Sequence, residues 1–147
     1  MPEVPLSEDA ALVLALAGTA IPFADSTESE AEHWLRILRM HGEVGAAMQA
    51  LGVGEKPLEA ADRVPGSRPQ RVRRGGENVV ELVGTRAGEI AQRRGASLVG
   101  TTDVLEAVAA VYGTFFDEVL YARGPTREEL MERLAGAPEE PSANRPR

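Results

Sequence analysis

Cysteine is absent from this chain of 147 residues. Its absence excludes a disulfide scaffold, a thiolate-bound zinc or iron–sulfur site and a cysteine nucleophile. Aromatic residues make up only 4% of the chain, while hydrophobic residues as a whole make up 43%. That balance favours packed helices over a β-sandwich, which needs more aromatic and β-branched residues. No apolar run approaches the ~20 residues that a membrane-spanning helix requires.

Lysine occurs only once, as Lys56 between Glu55 and Pro57. A phosphate-binding loop of the P-loop type needs Gly before its Lys and Ser or Thr after it, so this loop is excluded. The formal net charge of −7 repels nucleic acid. The first residues are acidic and lack the positive segment of a signal peptide. These features predict a cytoplasmic protein that contacts no membrane.

Helix signals recur along the chain. Ser7 is the expected N-cap of a first helix that is apolar on nearly every side through Ala20, which predicts a buried helix. Ser29 and Glu32 have the spacing of a capping box and predict the start of a second helix, whose inward face includes Trp34. Further helices are predicted over 43–51, 57–62, 78–94, 101–111, 115–122 and 126–134, with Thr101 as one N-cap and a capping box at 126–129.

Two stretches of the chain repeat each other. At an offset of 70 residues Leu12 matches Leu82 and Leu35 matches Leu105, and at an offset of 72 Gly52 matches Gly124. The predicted fold is therefore all-α, a tandem repeat of two four-helix units that bury their apolar faces against one another in one pseudo-two-fold, eight-helix domain. The expected division is a double module over 1–135, with repeats at about 5–63 and 78–135, a linker at 64–77 and a disordered tail at 136–147.

The linker is basic within an acidic protein, because it carries Arg68, Arg71, Arg73 and Arg74. A solvated connection is the simplest interpretation of its Pro, Gly and Arg content. The alternative is that the arginines bind nucleic acid or an acidic partner, which would make the protein a small regulator.

Both repeats resemble the N-terminal domain of Clp-type AAA+ unfoldases, of the ClpC and ClpA branch in particular. The first repeat carries EHWLRIL at 32–38 and AMQALG at 47–52, and the second carries GTTDVL at 100–105 and FDEVLYARG at 116–124. The similarity covers about residues 5–135. The sequence departs from the family's G-T-E-H motif in both repeats. The first repeat keeps only Glu32-His33, and the second keeps only Gly100-Thr101.

The resemblance implies a candidate ligand site. In ClpC-like relatives the motif glutamate receives the guanidinium of a phosphorylated arginine, while helix-start amides and the motif threonine meet the phosphate. By position, the implied peptide- or phosphoarginine-binding residues are Glu32 and His33 in one repeat and Thr101, Thr102 and Asp103 in the other. Simpler roles remain open: Glu32 as part of a capping box, and Trp34 as a core residue.

The expected function is non-catalytic. The chain contains no esterase, zinc-protease or dinucleotide-binding motif, and its two histidines, His33 and His41, lack a third metal ligand. We expect no metal, no cofactor and no enzyme activity. The resemblance implies a stand-alone protein- or peptide-binding module that binds substrates, adaptors or cyclic peptides and acts as an adaptor or decoy for Clp proteolysis.

Overall fold

The computed structural model describes residues 4–24, 26–53 and 78–135, and every regular element in these ranges is a helix. The all-α class is therefore confirmed. The predicted helix at 57–62, the linker and the tail lie outside the described residues. The α-helices are α1 (Glu8–Ala20), α2 (Thr27–Arg39), α3 (Gly42–Ala50), α4 (Val79–Arg93), α5 (Thr101–Tyr112), α6 (Thr114–Ala122) and α7 (Arg127–Ala135), with a 3-10 turn at Ile21–Phe23.

Helix α1 begins as predicted, because the Oγ of Ser7 accepts a hydrogen bond from the amide of Ala10 at 3.0 Å. Its burial was predicted wrongly. Only one face is inside, at Ala10, Val13 and Ala17, whereas Leu12 and Leu16 are 48% and 41% exposed. The reason is that α1 packs on α2, α4 and α5 from one side, so its other apolar face meets solvent.

Helix α2 begins about one turn earlier than the Ser29 capping box predicts. Ser26 is the N-cap, and its Oγ accepts from the amide of Ser29 at 3.0 Å. Ser29 itself lies in the first turn, so Glu32 has no role in capping this helix. The predicted inward face is confirmed at Trp34, which is fully buried.

Helices α4 and α5 of the second half begin one residue away from their predicted starts. The Oδ1 of Asn78 accepts from the amides of Val80 and Glu81 at the start of α4. The N-cap of α5 is Gly100 and not Thr101, and the Gly100 amide donates to Asp103 Oδ2 at 2.9 Å.

The capping box that opens α7 is confirmed by two reciprocal bonds. The amide of Thr126 donates to Glu129 Oε1 at 2.8 Å, and the amide of Glu129 donates to Thr126 Oγ1 at 3.1 Å.

Helix α5 lies at the centre of the packing. It contacts α1, α2, α3, α4 and α6, while α2 also packs on α6, and α7 packs on α3 and α6. The segment before α5 pairs with the start of the chain, since the amide of Ser7 donates to the carbonyl of Val99 at 2.9 Å. The buried side chains form one cluster that runs through both halves of the sequence.

Two helical glycines predict opposite effects of adding a methyl group. A Cβ on Gly45 would lie 2.6 Å from the backbone oxygen of Arg39, whereas a Cβ on Gly88 would meet nothing within 4 Å. We expect Gly45→Ala to lower the free energy of unfolding by about 1–3 kcal/mol through overpacking. Gly88→Ala should raise it by about 0.5–1 kcal/mol, because Ala loses less backbone entropy in a helix. Urea unfolding measures both, and equal effects of the two substitutions would contradict this packing of α3.

Candidate functional site

The structure places Glu32 well inside α2 and pairs it with an arginine of the same chain. Oε2 of Glu32 lies 3.1 Å from a terminal nitrogen of Arg123, and the two side chains are only 8% and 4% exposed. Arg123 directly follows α6. Burial lowers the pKa of the Arg123 guanidinium, and the charge of Glu32 opposes that shift. The carboxylate that the resemblance assigns to a ligand guanidinium therefore already holds an internal one.

The second group of predicted residues is also engaged in internal contacts. Asp103 is fully buried, and its two carboxylate oxygens accept from the guanidinium of Arg94 at 2.8 and 2.6 Å. One of these oxygens also accepts from the amide of Gly100. The hydrogen bond to Asp103 raises the pKa of Arg94. These contacts give Asp103 a capping role at the start of α5.

The neighbouring threonines differ in their exposure. Thr101 is fully buried, and the amide of Val44 at the start of α3 donates to its Oγ1 at 3.4 Å. Thr102 is half-buried, as is His33 on α2. Helices α2 and α5 pack against each other, but the bonds described above tie Glu32 to the end of α6 and Thr101 to α3.

A buried hydrogen-bond chain that the sequence does not reveal joins α2 to the end of α5. The indole nitrogen of Trp34 donates to the hydroxyl of Tyr112 at 3.0 Å, and that hydroxyl donates to Oε1 of Glu30 at 2.7 Å. Tyr112 and Glu30 are 6% and 4% exposed. The only sequence signal is an acidic residue on the inward side of an amphipathic helix. The chain of bonds fixes the register of the two helices.

A surface groove lies between α5 and α7 and has a volume of about 650 Å³. Three carboxylates border it, those of Glu106, Glu128 and Glu132, and the remaining lining residues are Ala109, Ala110, Arg127 and Met131. Sequence reasoning missed this groove, because no motif marks the two helix faces that form it.

Within the described ranges, no group of three or more Asp, Glu or His residues could hold a metal ion. None of the helices in this part of the chain is long and apolar enough to cross a membrane. No protein-family model matches the sequence, and no curated protein matches it significantly. The resemblance to Clp N-terminal domains therefore depends on the residue pattern of the two repeats.

Removing the hydroxyl of Tyr112 tests the buried hydrogen-bond chain. Tyr112→Phe leaves the indole nitrogen of Trp34 buried without its acceptor, so we expect the free energy of unfolding to fall by about 1–3 kcal/mol. The matched control is Tyr121→Phe on α6, where the residue is 66% exposed and the change should stay within about 0.5 kcal/mol. Urea unfolding followed by circular dichroism compares the two. A Tyr112→Phe variant as stable as the control would show that the chain of bonds does not hold α2 against α5.

Proposed function

We propose that this protein is a non-catalytic protein- or peptide-binding module with a double Clp N-domain-like repeat. It binds substrates, adaptors or small cyclic peptides and acts as an adaptor or decoy for Clp proteolysis. The observation that carries this proposal is the recurrence of the same backbone and burial pattern in the two halves of the chain.

Glycines with positive φ stand at corresponding points of the two halves. Gly42 and Gly113, with φ of 66° and 59°, stand at the start of α3 and α6, and both of these helices are nine residues long. Gly52 and Gly124, with φ of 91° and 126°, follow two residues after the same helices. Residues other than glycine rarely adopt this backbone conformation. The spacing of these chain reversals therefore supports a true repeat.

Buried positions recur at the offsets found in the sequence. Val13 and Val83 are both fully buried, as are Ala17 and Ala87, Leu35 and Leu105, and Met48 and Leu120. The matched Leu12 and Leu82 are instead both exposed, at 48% and 42%.

The helix pairs recur as well. The contact of α2 with α6 corresponds, under the repeat, to that of α5 with α3, and both pairs pack. This equivalent packing of two helix pairs supports a pseudo-two-fold arrangement.

Clp proteolysis offers a direct test of the proposed function. We expect the purified protein to bind fluorescein-labelled casein, an unfolded substrate, and to change its degradation by a reconstituted Clp protease in a saturable way. A decoy lowers the rate by sequestering substrate or adaptor, and an adaptor raises it. An unrelated helical protein of similar net charge is the control. A protein that neither binds casein nor changes the rate of its degradation would contradict the proposal.

Phosphoarginine binding at Glu32 has a specific structural requirement. The ligand's guanidinium must displace that of Arg123, which lies 3.1 Å from the carboxylate. In addition, α2 begins at Thr27, so Glu32 lies more than one turn beyond the helix-start amides that favour a phosphate. Thr102 is the second residue of α5 and therefore lies closer to such amides.

Competition by Arg123 gives a measurable expectation. The fluorescence of Trp34, two residues from Glu32, should show no saturable change with phosphoarginine up to about 1 mM in the wild type. Arg123→Ala should gain a saturable response, and Glu32→Ala combined with Arg123→Ala should lose it again. Arginine and phosphate serve as control ligands, and circular dichroism verifies that each variant is helical. If the fluorescence of wild-type Trp34 saturated at micromolar phosphoarginine, Arg123 would not be competing with the ligand for Glu32.

A further inference from the structure

The groove between α5 and α7 contains the most exposed residues of the central helix. Among the twelve residues of α5, only Glu106 and Ala110 are exposed, and both line the groove. They lie four residues apart and therefore on one face of the helix. Helix α7 packs on α3 and α6, and the half-buried Met131 of α7 lies across the groove from α5.

The floor and the border of the groove differ in chemistry. Ala109, Ala110 and Met131 provide an apolar floor, while Glu106, Glu128 and Glu132 provide three carboxylates at its border. The single cation of the lining, Arg127, lies 3.2 Å from Asp117 of α6. Within the described part of the chain, no hydrogen bond or ion pair engages these three carboxylates, although the charge of Glu106 also acts on Arg94. The border of the groove therefore carries a net negative charge around an apolar surface.

We propose that this groove is a docking site for a cationic peptide segment of a partner protein, one that places an apolar side chain on the floor and arginine or lysine residues against the three carboxylates. Charge complementarity supports this occupant, because an acidic border attracts cations and rejects acidic segments. The formal net charge of −7 strengthens the attraction at low ionic strength. A long basic side chain suits such a site, since its methylene stem can cover Met131 while its charge stays at the border.

This inference rests on the proposed function in one respect only, that the protein binds peptides. It assigns the binding to a surface that contains none of the residues implied by the Clp resemblance. The two can therefore fail separately.

The test uses a fluorescein-labelled peptide of about twelve residues, just over three helical turns, with arginines on one face around a central leucine. Fluorescence anisotropy of the full chain should show saturable binding that weakens about fivefold or more when salt rises from about 50 mM to about 500 mM. A peptide with glutamate in place of each arginine should not bind. A peptide with serine in place of leucine should bind more weakly.

Variants locate the binding surface. Glu106→Gln combined with Glu132→Gln should weaken binding about three- to tenfold, because two exposed charge interactions are lost. The matched control is Glu81→Gln combined with Glu89→Gln, which removes the same charge from exposed positions on α4 and should leave affinity within about twofold. Ala110→Trp should block the floor and abolish binding, while Ala15→Trp, at an exposed position on α1, should not. All of these sites are on the surface, and circular dichroism verifies the fold.

Each outcome decides the proposal. The groove is not the binding site if neither variant weakens binding, that is, neither Glu106→Gln combined with Glu132→Gln nor Ala110→Trp. Peptide binding itself would then remain established. No binding by the wild type overturns the proposal. If binding then appears when Arg68, Arg71, Arg73 and Arg74 are changed to Gln, the occupant is the chain's own basic segment and not a partner. A dimer that dissociates on Ala110→Trp assigns the groove to a second copy and also overturns the proposal.

Discussion

The hydrogen-bond chain from Trp34 through Tyr112 to Glu30 is the contact on which the rest of the packing depends. It spans 78 residues between its first two members and 82 between its last two, so it joins helices from opposite halves of the sequence. Burial of a carboxylate is costly unless it is hydrogen-bonded, and a buried indole N–H also needs an acceptor. A shift of α2 along α5 by one turn, about 5.4 Å, would separate these three groups.

The sequence predicts the helices well where local signals decide their ends. Ser7 and the Thr126–Glu129 capping box act as expected, because a cap depends on residues within one turn. The errors arise where two neighbouring residues compete for the cap. Ser29 and Thr101 each have the right chemistry for an N-cap, but Ser26 and Gly100 take that position. The Oγ of Ser26 accepts from the amide of Ser29, and the amide of Gly100 donates to Asp103.

The site could be predicted only in part, because pairing across the fold has no local signature. The sequence marks Glu32 and Asp103 as carboxylates in a motif, and nothing nearby indicates that Arg123 and Arg94 reach them. Arg123 lies 91 residues from Glu32. The groove is harder still to foresee. It exists because α7 is attached to α3 and α6, a consequence of packing that the pattern of neither α5 nor α7 contains.

The carboxylates at the motif positions and those at the groove differ in what neutralises them. Glu32 and Asp103 are buried and ion-paired with arginines, because a carboxylate taken out of water must find a partner within the fold. Glu106, Glu128 and Glu132 are exposed and remain hydrated. Releasing Glu32 to a ligand breaks its contact with the buried guanidinium of Arg123, which is expensive. The hydrated carboxylates carry no such penalty, so an incoming cation meets less resistance at the groove than at the motif positions.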